Sequence, residues 1–226
     1  MLAGWLYRDV VTSREFGERL SKRLRSGPID VPDITPEALV QVEAYYHLLA
    51  RWNGTINLTS LPLQEWDDQA VDRLLVEPLL AARYVPESAI SWFDLGSGGG
   101  SPALPLKILR PLSQLTMVES KSRKAAFLRE AVRSLQLPGA IVHTGRFEEL
   151  AARPGMRGVA QLVTVRAVKV DRPLLEAASI LLGTSGALFL FTSADGLAQP
   201  LAGFEVAETA QLSAQPGSQL VILRRL

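Results

Sequence analysis

The chain has 226 residues, and 47% of them are hydrophobic, enough for one sizeable core. With 24 Lys and Arg against 23 Asp and Glu, the formal charge is +1, so nucleic acid would be bound by a local basic patch. The absence of cysteine excludes disulfides and thiol nucleophiles, and two histidines make a histidine metal site unexpected. No apolar run approaches the roughly 20 residues of a membrane span, and no secretory leader pattern opens the sequence. We therefore expect a cytoplasmic, monomeric protein without metal or membrane contact.

Residues 1–88 are predicted to form a helical extension. Apolar spacing predicts three helices, over 13–27, 33–54 and 63–84. Thr35 is the expected N-cap of the second helix, whose Tyr45 and Tyr46 are predicted to pack in the core. A break is predicted in the third helix near Pro78, because proline cannot donate a helical hydrogen bond.

Residues 89–226 alternate short β-rich runs with helical segments, which is typical of a parallel sheet covered on both faces. Five strands are predicted, over 90–96, 114–120, 139–145, 161–168 and 186–193. Four helices are predicted between them, over 102–111, 121–137, 146–153 and 171–183. Residues 203–226 predict an antiparallel hairpin at the sheet edge, with a turn at Pro216 and Gly217. The predicted fold is α/β, with a mostly parallel seven-stranded sheet that forms one compact unit with the N-terminal helices.

A glycine-rich loop follows the first predicted strand and reads D-x-G-x-G-x-G from Asp94 to Gly100. It lies at the carboxyl end of a strand, where open α/β sheets bind nucleotides. Its last glycine comes one residue too early for the dinucleotide pattern, which disfavours NAD(P)-dependent oxidation. Glu119 ends the next strand, where an acid can accept hydrogen bonds from ribose hydroxyls. A nucleoside-type ligand is predicted; the alternative is a glycine turn beside an exposed acid.

The glycine loop resembles the first motif of the Rossmann-like methyltransferases that use S-adenosylmethionine. From Thr35 to Phe191 the chain resembles the ribosomal small-subunit methyltransferase G family, also called glucose-inhibited division protein B, whose members methylate a guanine N7 in small-subunit ribosomal RNA. The resemblance rests on five blocks in the family's order: RWNGTINLTSL, FDLGSGGGSPALPLKILRP, VESKSRKAAFLREAV, GRFEEL and VRAV. It implies the Rossmann-like fold and S-adenosylmethionine as cofactor.

The same resemblance implies roles for individual residues. The implied cofactor residues are Asp94, Gly96, Ser97, Gly98, Gly100, Ser101, Glu119, Phe147 and Glu148. Among them, Glu119 would hold the ribose, while Phe147 and Glu148 would flank the adenine. Arg166, the implied catalytic residue, would face the reacting centre; the alternative is a salt-bridged residue at a strand end.

The substrate side is predicted from polar and basic residues. Asn57 and Thr59 would lie near the cofactor mouth, unless they only satisfy local backbone groups. Lys121, Arg123 and Lys124 form a basic cluster that would bind phosphates of ribosomal RNA or of the small ribosomal subunit; the alternative is a solvated helix face.

The substrate-side motifs depart from the family pattern. Residues 72–77 read DRLLVE where Arg-His-Ile/Leu-x-Asp-Ser is usual, and Phe191-Thr192 stand where Lys-Gly is common. Two alternatives therefore remain beside methylation of a guanine N7. The protein could be a divergent relative that methylates another RNA or a small molecule, or a non-catalytic module that binds the cofactor or RNA.

Overall fold

The computed structural model describes residues 13–63, 66–87, 89–193, 201–213 and 218–226. The turn predicted at Pro216 and Gly217 lies outside these residues. Within the described ranges, no helix is both long and apolar enough to cross a bilayer. The same ranges contain no group of three or more side chains suited to hold a metal ion.

Four α-helical segments precede the sheet: α1 (Ser13–Arg25), α2 (Pro36–Ile56), α3 (Asp68–Val71) and α4 (Glu77–Ala81). The predicted cap of α2 is confirmed, because the Thr35 hydroxyl accepts a hydrogen bond from the Ala38 N–H at 3.2 Å. The predicted third helix starts later than expected, at Asp68, where the Asp67 carboxylate accepts from the Ala70 N–H at 2.8 Å.

The break predicted at Pro78 takes a different form. A π-helical segment (Asp72–Val76) joins α3 to α4, and a 3₁₀ turn (Ala82–Tyr84) follows. In this segment the Glu77 N–H donates to the Asp72 carbonyl, five residues back. Because a proline removes one helical hydrogen bond, the wider turn lets the helix continue through Pro78 instead of ending there.

The sheet has seven strands: β1 (Ser91–Leu95), β2 (Gln114–Glu119), β3 (Ala140–Thr144), β4 (Ala160–Arg166), β5 (Leu182–Thr192), β6 (Phe204–Gln211) and β7 (Gln219–Arg225). Their order is β3-β2-β1-β4-β5-β7-β6. Strands β1 to β5 pair in parallel, and β7 is antiparallel to both β5 and β6. The prediction of a mostly parallel seven-stranded sheet with a C-terminal antiparallel pair is confirmed.

Four helices alternate with the strands: α5 (Ala103–Leu109), α6 (Ser122–Ser134), α7 (Phe147–Ala151) and α8 (Arg172–Leu181). Alternate residues of the strands enter two apolar clusters, one on each face of the sheet. Trp92 belongs to the cluster that also holds α1, α2, α5 and α6 residues, and Phe93 to the cluster that holds α7 and α8 residues. The N-terminal helices thus share a core with one face of the sheet.

Candidate functional site

A cavity of about 860 Å³ lies at the carboxyl ends of the parallel strands. The strand order reverses between β1 and β4, so the connections leaving these neighbours turn to opposite sides and open a crevice. Most of the lining comes from the loops after β1, β4 and β5, from the segments after α2 and α3, and from Glu119 in β2 and Lys124 in α6. This volume is in the range of pockets for drug-sized ligands.

The glycine loop forms one wall of the cavity, and its glycines serve two different purposes. Gly96 has φ +75°, and a Cβ there would lie 2.4 Å from Val168 Cγ2, so the protein's own packing demands glycine. Gly98 has φ +51°, but its nearest neighbour to an added Cβ would be the Gly96 carbonyl at 3.7 Å. The space beside Gly98 is therefore open to a ligand, whereas the space beside Gly96 is not.

Glu119 lies next to Gly98, on the cavity wall at the end of β2. It is buried, with 6% of its surface exposed. One carboxylate oxygen accepts from the Gly98 N–H at 2.9 Å, and the other accepts from the Lys121 N–H at 2.7 Å. Each oxygen keeps capacity for a further hydrogen bond, so the oriented carboxylate can still accept from ligand hydroxyls.

Helix α2 supports the glycine loop from behind. The Tyr45 hydroxyl donates to the Gly99 carbonyl at 2.7 Å, and burial raises the pKa of this phenol well above its ordinary value. Further along, the Asn53 side-chain oxygen accepts from the Leu58 and Thr59 N–H groups at 2.7 and 2.9 Å. The sequence predicted only core packing for Tyr45; its hydroxyl, which needs a partner when buried, was the overlooked signal.

Arg166, at the end of β4, lines the cavity and is held by three partners. Its guanidinium donates to Glu77 Oε2 at 2.7 Å and to the Arg73 carbonyl, and it lies 4.6 Å from the centroid of the Phe191 ring. Burial lowers the pKa of Arg166, and the Glu77 carboxylate opposes that effect. Arg166 therefore lines the cavity and is also salt-bridged, and its catalytic role stays a prediction.

Glu77 is a residue that the sequence reasoning missed. Only 3% of its side chain is exposed, although it carries a carboxylate. A usable signal was present, because a lone acid inside the apolar run LLVEPLL is rarely buried without a partner.

Asp94 lies behind the glycine loop and does not line the cavity. One of its carboxylate oxygens accepts from the Thr164 hydroxyl, which in turn accepts from Trp92 Nε1 at 2.9 Å. Burial raises the pKa of Asp94 to about 6, while the Ser97 and Thr164 hydrogen bonds act in the opposite direction. Its observed partners are therefore those of a residue that supports the loop from below.

The other predicted site residues divide into two groups. Those on the cavity wall, besides the ones described above, are Thr59, Ser97, Ser101 and Lys124. Those away from the wall are Asn57, Gly100, Lys121, Arg123, Phe147 and Glu148. Asn57 ends α2 with a left-handed backbone, Phe147 packs against the second apolar cluster, and Glu148 pairs with Arg146 at 2.9 Å. Their proposed ligand contacts remain predictions.

Basic side chains that were not predicted also line the cavity. They are Arg73, Lys169 and Arg172, which join Lys124 from the predicted cluster. Arg172 is neutralised by Glu176 at 2.6 Å. The lining is therefore richer in positive charge than the sequence reasoning indicated.

The chain resembles one family over most of its length. A model of the family described as rRNA small subunit methyltransferase G (GidB) matches residues 38–213. The ribosomal RNA small subunit methyltransferase G of Stenotrophomonas maltophilia (strain K279a) is 36% identical over 178 residues, which cover 75% of this chain and 77% of that protein. The protein of the same name from Neisseria gonorrhoeae (strain NCCP11945) is 37% identical over 131 residues, which cover 58% of this chain and 61% of the relative's length.

Among solved structures, a SAM dependent methyltransferase from Aquifex aeolicus superposes with a TM-score of 0.56 at 12% identity. The superposition covers 71% of this chain and 94% of that one. At this identity the likeness concerns the fold alone.

Proposed function

The chain belongs to the rRNA small subunit methyltransferase G family, and on that premise we propose that it transfers a methyl group from S-adenosylmethionine to ribosomal RNA of the small subunit. The observation that supports this best is the open space beside Gly98, faced by the oriented Glu119 carboxylate, at the switch point of the sheet.

The residues present fit this cofactor. When bound, S-adenosylmethionine supplies a methyl group activated by its sulfonium. Glu119 would accept hydrogen bonds from the two ribose hydroxyls, and the backbone beside Gly98 would let the ligand approach without meeting a Cβ. Phe147 and Glu148 are assigned to the adenine by the family resemblance alone.

We propose guanine N7 as the acceptor atom, again from the family resemblance. N7 carries a lone pair and no proton, so the chain does not have to supply a general base. What the protein must supply is alignment of acceptor and methyl group, which can lower a barrier by roughly 7–11 kcal/mol. We propose that Arg166, which lines the cavity, orients the incoming base.

RNA as substrate is supported by the charge of the cavity wall. Arg73, Lys124 and Lys169 line the cavity together, and no ion pair joins any of these three to another described residue. Cations in this position can bind the phosphates that flank a nucleotide inserted into the cavity. We therefore assign these three residues to phosphate binding.

The test uses purified protein, small ribosomal subunits that lack the modification, and S-adenosylmethionine with a labelled methyl group. We expect label in the RNA, at a guanine that becomes sensitive to borohydride and aniline, a reaction diagnostic of N7 methylation. Glu119→Gln should weaken S-adenosylhomocysteine binding in calorimetry by roughly 10- to 100-fold, because hydrogen bonds to a charged group are lost.

Glu149→Gln, at an exposed acid of α7, is the matched control and should bind as the wild type does. Cofactor binding without label in any RNA would favour the divergent relative or the non-catalytic module. Unchanged binding by Glu119→Gln would contradict the proposed cofactor position.

A further inference from the structure

We infer that Glu77 is a positioning residue, which acts on the reaction by holding the Arg166 guanidinium on the cavity wall. This inference rests on the proposed methyl transfer. Glu77 does not line the cavity, whereas Arg166 does, and the direct bond between them lets Glu77 act on a substrate through Arg166. Their side chains come from elements 89 residues apart in sequence and meet at 2.7 Å.

The pair is unusual because both charged side chains are almost entirely buried. The side chains of Arg166 and Glu77 are 11% and 3% exposed. Among the described residues, Glu77 Oε1 and Arg166 Nε are buried without a hydrogen-bond partner. Removing two charges from water costs several kcal/mol per ion, and a well-packed apolar pair is often at least as stable. Stability alone is therefore a poor reason for this arrangement, and orientation of the guanidinium is a better one.

Pro78 supplies a second restraint on Arg166. In an α-helix the carbonyl of Leu74 would accept from residue 78, and in a π-helix the carbonyl of Arg73 would do so. Pro78 has no N–H, and the Glu77 N–H is already directed to the Asp72 carbonyl. The two carbonyls accept from side chains of the cavity wall instead.

These acceptors hold two different parts of the wall. The Leu74 carbonyl accepts from the Ser101 hydroxyl at 3.1 Å, at the end of the glycine loop. The Arg73 carbonyl accepts from Arg166. One turn of helix thus anchors both the glycine loop and the end of β4.

Three partners leave the guanidinium little freedom. The Glu77 carboxylate and the Arg73 carbonyl fix its edge, and the Phe191 ring lies against its face. Arg166, which lines the cavity, is thereby held on its wall in one orientation. Losing the carboxylate would free the guanidinium to rotate while leaving its charge in place.

The test compares Glu77→Gln with the wild type, alone and in an Arg166→Gln background. We expect Glu77→Gln to lower kcat at least 10-fold and to leave the Kd for S-adenosylhomocysteine within about twofold. In the Arg166→Gln background, Glu77→Gln should lower kcat by no more than about twofold, because the guanidinium that Glu77 positions is absent. Equal losses in both backgrounds, or an unchanged kcat in Glu77→Gln, would overturn the inference.

Asp72→Asn is the matched control. Asp72 is a buried acid of the adjoining π-helical segment and is also paired with an arginine, but this arginine, Arg23, does not line the cavity. Its neutralisation should lower the melting temperature while leaving kcat within about twofold. If kcat falls as much in Asp72→Asn as in Glu77→Gln, the fall is due to general destabilisation and the proposal is contradicted.

Pro78→Ala provides a test that changes no side chain of the cavity wall. Alanine restores the N–H that competes for the Arg73 and Leu74 carbonyls and favours the helix, so stability should be kept or raised. We expect kcat to fall several-fold all the same. A stable Pro78→Ala variant with wild-type kcat would contradict the restraint that the Arg73 carbonyl places on Arg166.

The positioning can also be measured without turnover, which separates its failure from failure of the proposed function. Nitrogen-15 NMR of the arginine side chains, assigned with Arg166→Lys, should show slow rotation of the Arg166 guanidinium in the wild type. Glu77→Gln should bring this signal to the averaged behaviour of exposed arginines. A freely rotating Arg166 in the wild type would overturn the inference even in an active enzyme.

Discussion

Asp94 and Glu119 show how two acids on adjacent strands acquire different roles. Glu119 lies on the cavity wall, where backbone N–H groups orient its carboxylate. Asp94 lies beneath the loop, with 1% of its surface exposed, and accepts from Thr164. One acid is thus available to a ligand, while the other is a buried group whose charge is costly.

This burial predicts a pH dependence of stability. The pKa of Asp94 rises from 3.8 to about 6 on folding, so the folded state binds the proton more tightly than the unfolded chain. Stability should therefore fall as pH rises from about 4 through 6. Between pH 4.5 and 7.5, deprotonation of this one group should lower the free energy of unfolding by about 2 kcal/mol. Asp94→Asn keeps an oxygen for the Thr164 hydroxyl but cannot ionise, so this variant should lose about 2 kcal/mol less stability over the same pH range.

Urea unfolding at the two pH values measures the effect. Asp33→Asn, at an exposed aspartate before α2, is the control and should retain the wild-type difference. The same difference in Asp94→Asn as in the wild type would show that Asp94 is not the group responsible.

At the scale of elements, α2 and the π-helical segment act as supports for the loops of the sheet. The hydroxyl of Tyr45 reaches the glycine loop, and that of Tyr46 donates to the Leu63 carbonyl at 3.2 Å within the helical part. Two adjacent tyrosines of one helix therefore serve different parts of the molecule.

The two tyrosines provide a matched pair of variants. Tyr45→Phe should weaken S-adenosylhomocysteine binding by roughly 3- to 10-fold, because one hydrogen bond to the glycine loop is worth about 1 kcal/mol. Tyr46→Phe loses a comparable hydrogen bond away from the cavity and should bind with unchanged affinity. Calorimetry of both variants checks this. Equal affinities would show that the loop holds its shape without Tyr45.

At the scale of the whole molecule, one apolar cluster extends from Phe16 in α1 to Ile222 in β7. Phe16 packs edge-on against Trp66, with ring centroids 4.8 Å apart. The N-terminal helices therefore cover part of the sheet's core, and we propose that residues 13–87 and the sheet unfold together.

Phe16→Ala tests this cooperativity. The substitution should lower the free energy of unfolding by about 3–5 kcal/mol, as for other buried aromatic residues. Because the core is shared, hydrogen exchange should accelerate in β1 and β4 as well as in α1. Acceleration confined to the N-terminal helices would mean that they form a separate unit.

The sequence by itself determined the pattern of polar and apolar residues along each strand, the glycine loop, the acid at the end of β2 and the Thr35 cap. These features are local, because each depends on residues a few positions apart or on the side-chain period of one element. The family pattern then added the identity of the cofactor and the place of Arg166.

Only the tertiary structure decided which side chains face the cavity. The Arg166–Glu77 pair and the contact of Tyr45 with Gly99 join residues 89 and 54 positions apart, so they depend on how distant elements pack. Pattern and period carry no information about such pairings. For the same reason Asp94, inside the glycine motif, lies behind the loop, while Glu77, in a segment that departs from the family pattern, bonds to the arginine.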